Sequence, residues 1–163
     1  MINERIELCD GNVAFYDEEE RLYICRLAWL GREIRVRLYS DEDSAEADVE
    51  AIKKAFENFY ANKKDYLSTC QNDVVEKLLP YIAENYSPDD FLSVPAISED
   101  DFYTDYSLSE VYIGTCEGER DIQLTFSTEN EEDIICVHRD MDSGNIIEFF
   151  DGLNNVYPED LGL

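Results

Sequence analysis

Hydrophobic residues recur at every second position within residues 33–40. In "EIRVRLYS", Ile34, Val36 and Leu38 would lie on one side of an extended chain and polar or aromatic neighbours on the other. Alternation of period two with one polar side is typical of an antiparallel strand that covers a core with one face. The segments "NVAFYD" and "RLYICRLAWL" also predict strands, and Gly31 marks a turn between the last two.

The period changes to that of a helix after residue 40. Apolar residues now recur three or four positions apart, at Val49, Ile52, Phe56 and Phe59. Acidic residues crowd the beginning of this segment and lysines come later, which suits the dipole of a helix. We therefore predict a long amphipathic helix here.

A second helical pattern follows at residues 74–82, with Pro80 inside it. Proline removes a backbone donor and clashes with the preceding turn, so it should kink this helix or restart it. The proline-containing segment 86–105 predicts a connection with one short helical turn. Ser98 is a suitable cap for that turn, with Asp101 three residues later.

The last third of the chain returns to strands: "LSEVYIGT", "RDIQLTFST", "DIICVHRD" and "NIIEFFDG". Glu117 and Gly118 separate the first two and predict a hairpin turn. The order is strands, helices, strands. It predicts a single α+β domain over residues 1–163, with two main helices packed on one face of a largely antiparallel sheet.

The charge of the chain is strongly negative and unevenly distributed. Asp and Glu number 39 against 13 Lys and Arg, for a net charge of −26. Residues 80–163 contain 21 acidic side chains and only two basic ones, Arg120 and Arg139. Such a field repels nucleic-acid phosphates and anionic membranes and attracts basic partners. We expect no nucleic-acid or membrane contact, and a basic protein as the partner if there is one.

The cysteines and the N-terminus indicate a cytoplasmic protein. The five cysteines are scattered, and no C-x-x-C pair occurs, which argues against a disulfide framework and a zinc site. The first residues, "MINERIELCDGN", contain no apolar signal core, and no apolar run reaches the length of a membrane span. We predict reduced thiols, a cytoplasmic location and no cofactor or metal.

The segment "VHRDMDSGN" has the spacing of a protein-kinase catalytic loop, with His-Arg-Asp and an Asn five positions after the Asp. The other parts of a kinase site, a Gly-rich loop and a downstream D-F-G, are missing. Asp142, Ser143 and Gly144 are common turn residues. We therefore predict that a strand runs into a turn here. His138, the single histidine, has no recognisable nucleophile motif, so we assign no catalytic residue.

Two acidic clusters are the candidate binding residues. Each lies at the end of a predicted strand or helix, where a solvated loop is the ordinary alternative. The strands beside the second cluster would hold it rigidly. The candidates are Asp41, Glu42 and Asp43 in the first cluster, and Glu129, Glu131, Glu132 and Asp133 in the second.

Residues 27–152 resemble a bacterial family of domains of unknown function. The similarity lies in Trp29-Leu30-Gly31, in the alternating strand and charged helix that follow, and in the late strand "ICVHRDMDSGNII" with its Asp and Gly. Members place Gly-His before that strand, where this chain has Glu132-Asp133. The resemblance implies the same order of elements and no particular activity.

Three classes of function are compatible with these observations. The first is a non-catalytic protein-binding module that covers a basic partner, similar in size, charge and fold class to bacterial immunity proteins. The second is a hydrolase or transferase that uses carboxylates and a divalent metal in a cleft. The third is a structural or regulatory domain whose charge only keeps it soluble. The composition favours the first, and the oligomeric state stays open.

Overall fold

A computed structural model describes residues 4–40, 48–86 and 98–163. The described residues form one sheet of nine strands, in which spatial order follows chain order. The strands are β1 Arg5–Glu7, β2 Val13–Asp17, β3 Leu22–Trp29, β4 Arg32–Ser40, β5 Ser107–Cys116, β6 Glu119–Ser127, β7 Ile134–Asp140, β8 Ile146–Phe150 and β9 Asn155–Val156.

Neighbouring strands are antiparallel throughout, except that β4 and β5 are parallel. A parallel pair cannot be joined by a tight turn, and here the helical region lies between the two strands in the chain. The mixed α+β class and the largely antiparallel sheet are therefore confirmed. The short edge strands β1 and β9 and the parallel pair were not predicted.

The helical region is divided into more segments than the two main helices predicted. It contains α1 Val49–Ala61, α2 Lys63–Asp73, a π-helical segment Val74–Leu78, α3 Leu79–Asn85 and α4 Glu99–Asp105. Pro80 lies in the first turn of α3, directly after the π-helical segment, so α-helical geometry restarts there as a proline requires. The Oγ of Ser98 accepts the backbone N–H of Asp101 at 3.1 Å, which confirms the predicted cap of α4.

The core lies between the helices and one face of the sheet. Helix α1 buries Ile52, Ala55, Phe56 and Phe59 and contacts the central strands β4 and β5. Phe102 of α4 meets Phe126 of β6, with ring centroids 5.4 Å apart, so α4 packs on the same face. The alternating apolar residues of β4 to β8 complete this core: Ile34, Val36, Leu38, Val111, Ile113, Ile122, Leu124, Phe126, Ile135, Val137 and Phe149.

The opposite face of the sheet carries the residues that alternate with these core positions. The strand register places one row of them side by side across β4 to β8: Arg37, Tyr112, Gln123, His138 and Glu148. All five are partly exposed. We call this side of the sheet the open face, because the contacts of the described helices named above lie on the other side.

Candidate functional site

The uneven charge of the chain becomes an uneven charge in space, because strand order follows chain order. The acidic C-terminal third forms its own half of the sheet, β5 to β9. Both basic residues of that half are already engaged. Arg120 forms an ion pair with Asp142, and Arg139 forms one with Asp73 and donates to the backbone oxygen of Gly144. This half therefore has no further arginine or lysine for its other carboxylates.

Ion pairs on the open face connect the two halves of the sheet. Arg35 of β4 lies 3.0 Å from the Glu110 carboxylate of β5, and Arg37 also contacts Glu110. Arg37 reaches back to Glu20 at 3.0 Å as well. These contacts pair Arg35 and Arg37 with carboxylates, of which Glu110 belongs to the acidic half and Glu20 does not.

His138 lies in the acidic half of the open face, between two carboxylates. Its Nε2 is hydrogen-bonded to Asp121 of β6, and its Nδ1 is 3.6 Å from Oε1 of Glu148 on β8. The hydrogen bond that Nε2 donates to Asp121 raises the pKa of His138 above 6.5. Partial burial opposes this rise, and Glu148 adds to it. The interactions of the His138 ring with Asp121 and Glu148 therefore contribute their full stability below about pH 6.5. This contribution is lost as pH rises through the raised pKa of His138.

This arrangement favours the protonated form of the ring, because the hydrogen bond with Asp121 raises its pKa. A histidine that takes a proton from a nucleophile needs one ring nitrogen directed at that nucleophile, whereas both nitrogens here face carboxylates. The nearby thiol of Cys136 contacts Oγ1 of Thr125 at 3.4 Å, and burial raises its pKa. A raised pKa disfavours the reactive thiolate. A cavity of about 180 Å³ lies beside these groups, lined also by Gln123.

The loop between β6 and β7 carries four of the candidate binding residues. Glu129, Glu131 and Glu132 are exposed, as a contact surface requires. Asp133 is only 4% exposed, and its backbone N–H donates to Oγ1 of Thr128 at 3.3 Å. The fourth residue therefore does not belong to the accessible surface.

Asp133 instead belongs to the support beneath the loop. It lies near the buried Tyr106, whose pKa is raised by burial and, to a smaller extent, by the charges of Asp133 and Asp105. The interpretation of Asp133 as a contact residue is corrected accordingly. The other cluster, Asp41, Glu42 and Asp43, lies outside the described residues.

A cleft of about 620 Å³ lies beside the exposed loop. Glu129 and Glu131 line one part of it, together with Asp105 and the 46% exposed ring of Tyr103. Arg32 also lines the cleft, and its guanidinium donates to Oγ of Ser107 at 2.8 Å. The cleft thus combines carboxylates, the guanidinium groups of Arg32 and Arg35, hydroxyl groups and an exposed aromatic ring.

The kinase-like segment is a strand followed by a turn, as predicted. Strand β7 ends at Asp140, whose Oδ1 accepts the backbone N–H groups of Asp142 at 2.9 Å and Ser143 at 2.7 Å. These bonds, that of Ser143 first, lower the pKa of the Asp140 carboxyl. The carboxylate is thus used by its own turn, as Asp commonly is in such positions.

The described residues contain no group of three or more His, Cys, Asp or Glu residues placed to hold a metal ion. None of the five cysteines, all of which are described, forms a disulfide bond. No described helix combines the length and apolar character needed to cross a membrane.

The partners of His138 were missed by sequence reasoning. Asp121 and Glu148 lie 17 and 10 positions from it, and no short motif contains all three. The available signal was that Asp121 occupies a polar position at the start of the alternating strand β6, whereas the strand around Glu148, "IIEFF", does not alternate.

Comparisons with family models, curated proteins and solved structures find no match. The resemblance to a bacterial family of unknown function therefore stays a prediction.

Proposed function

We propose that this chain is a non-catalytic protein-binding module that engages a basic partner through the acidic half of its sheet. The observation that carries the proposal is the ion pairing of Arg120 and Arg139, which leaves no arginine or lysine of that half for its other carboxylates. A basic partner would relieve the repulsion among them and would be drawn in by the same field. The net charge of −26 makes a protein partner a better proposal than a nucleic acid.

The contact surface that we propose is the exposed loop with its cleft. Glu129 and Glu131 supply charge at the rim, the exposed Glu132 adds charge in the same loop, and Tyr103 supplies an exposed aromatic surface beside them. Protein interfaces commonly combine a charged rim with aromatic contacts. The buried Asp133 and Tyr106 keep the loop in place without contacting the partner. The absence of disulfide bonds among the five cysteines agrees with a reducing compartment, so we propose that binding takes place in the cytoplasm.

Replacing Glu129, Glu131 and Glu132 together by Gln is expected to slow association with the partner roughly tenfold at low salt. The reason is that the rim charges act mainly through electrostatic steering, which salt screens. The partner would be captured from the source cell at low salt with the wild-type chain as bait, and association rates would then be measured at several salt concentrations. The stability of the variant should change by only about 0.5 kcal/mol or less.

The matched control replaces Glu4, Glu18 and Glu19, three exposed residues of the other half of the sheet, by Gln. Both variants lose the same amount of charge, so a difference between them reports location rather than total charge. The control should capture the partner as the wild-type chain does. If both variants capture and associate equally, the loop is not the contact surface. If an unrelated acidic protein captures the same species, the charge serves solubility and the proposal fails.

A further inference from the structure

We propose that His138 makes the charge of the open face depend on pH, and thereby sets the pH dependence of the attraction for a basic partner. When protonated, the imidazolium ring is the counter-ion of Asp121 and Glu148. When it loses its proton, both carboxylates become available to a cationic side chain of the partner. This inference rests on the proposed function and adds a regulatory property to it.

The proposal stands on the surroundings of the ring. Asp121 faces it from β6, Glu148 faces it from β8, and Cys136 and Asp140 share its own strand on the same face. Gln123 is the directly opposite residue on β6 and is neutral. No Lys or Arg is among the residues that line the adjoining cavity of about 180 Å³. The imidazolium is therefore the cation closest to this pair of carboxylates.

Gly114 of β5 is opposite Asp121 and leaves room for its carboxylate. A Cβ at Gly114 would lie 2.6 Å from Oδ1 of Asp121, too close for the present position of that side chain. An alanine there would move the Asp121 carboxylate without removing any charge. This residue therefore offers a test of geometry alone.

The direction of the effect follows from the charges. The pKa of His138 is raised from 6.5, so the ring keeps its proton at pH values where an ordinary histidine has lost it. As pH rises through the raised pKa, the open face loses one positive charge. A cation arriving about 7 Å away should then bind roughly threefold more tightly, the Coulomb factor for one unit charge in water.

The first test uses the single histidine as its own reporter. The ring protons of His138 would be followed by NMR from about pH 5 to about pH 9 in the wild-type chain and in Asp121→Asn, Glu148→Gln and Gly114→Ala. Each substitution should lower the pKa of His138, with the largest fall in Asp121→Asn because its hydrogen bond is the first cause of the shift. An unchanged pKa in Asp121→Asn and Glu148→Gln would overturn the proposed cluster.

The second test measures binding of an acetylated deca-lysine peptide at constant low ionic strength from about pH 6 to about pH 8.5, where lysines stay protonated. The wild-type affinity should rise roughly threefold across the raised pKa of His138. The affinity of His138→Gln should lack this rise, whereas both chains share any effect of the α-amino group. An equal rise in both chains, or none in the wild-type chain, would overturn the proposal.

Neither test involves the natural partner. The loop variants can fail to affect partner capture while His138 still titrates as proposed, and the reverse can also occur. The two failures are therefore distinguishable.

Discussion

Replacing Asp73 by Ala is expected to destabilise the folded chain by about 3–5 kcal/mol. The carboxylate of Asp73 is only 6% exposed and forms ion pairs with Arg139 of β7 and with Lys77, the latter at 2.7 Å. It is the link between the end of α2 and the sheet. Its removal leaves the guanidinium of Arg139, 15% exposed, without its carboxylate in a largely dry site. Urea unfolding followed by circular dichroism would measure the loss.

Two further variants separate the buried ion pair from simple loss of charge. Glu76→Ala removes an exposed carboxylate three residues away and should change stability by about 0.5 kcal/mol or less. The double variant Asp73→Leu with Arg139→Met should recover much of the stability, because an apolar pair needs no counter-ion. A cost below about 1 kcal/mol for Asp73→Ala would contradict the role given to this contact. A double variant that is no more stable than Asp73→Ala would contradict it as well.

Local chemistry made several elements predictable from the sequence. The turn at Glu117 and Gly118 is one, because both residues take positive φ, 49° and 83°, as a tight hairpin between β5 and β6 requires. The cap at Ser98 is another, since it depends only on a hydroxyl three residues before a backbone N–H. The alternation around Val36 correctly predicted the buried and the exposed face of β4 for the same reason. In each case the deciding interaction lies within a few residues.

The pairing of distant strands was not predictable in this way. Whether β5 lies parallel to β4 depends on how the helical region returns the chain, and periodicity within each strand carries no information about that. The same limit applies to the site. Asp121 and Glu148 meet His138 only through the register of β6, β7 and β8, which a shift by one residue would destroy.

Asp133 shows why charge alone does not identify which acidic residues are exposed. Four acids in five positions read as one exposed cluster, yet the last of them directly precedes β7 and lies under the loop near Tyr106. Sequence pattern describes where charge is abundant. Burial near Tyr106, a residue distant from Asp133 in the chain, removes Asp133 from the accessible charges.

Phe59→Ala is expected to cost about 3–5 kcal/mol of stability, as large-to-small changes of a buried phenylalanine do. The ring of Phe59 is fully buried and contacts Trp29 of β3 and Phe56 of α1, each with ring centroids 6.1 Å apart. Phe59 thereby packs α1 against the N-terminal half of the sheet, and the smaller alanine would leave a cavity at that contact.

The single tryptophan makes this prediction directly measurable. Because Trp29 meets Phe59 edge to face, denaturant unfolding followed by Trp fluorescence should show both a lower midpoint and a changed native spectrum. Phe59→Leu, which keeps most of the volume, should cost less than half as much as Phe59→Ala. Phe15→Ala, at a ring that is 56% exposed on the open face, should change stability by about 0.5 kcal/mol or less. If Phe59→Ala costs no more than Phe15→Ala, α1 is not held to the sheet through this ring.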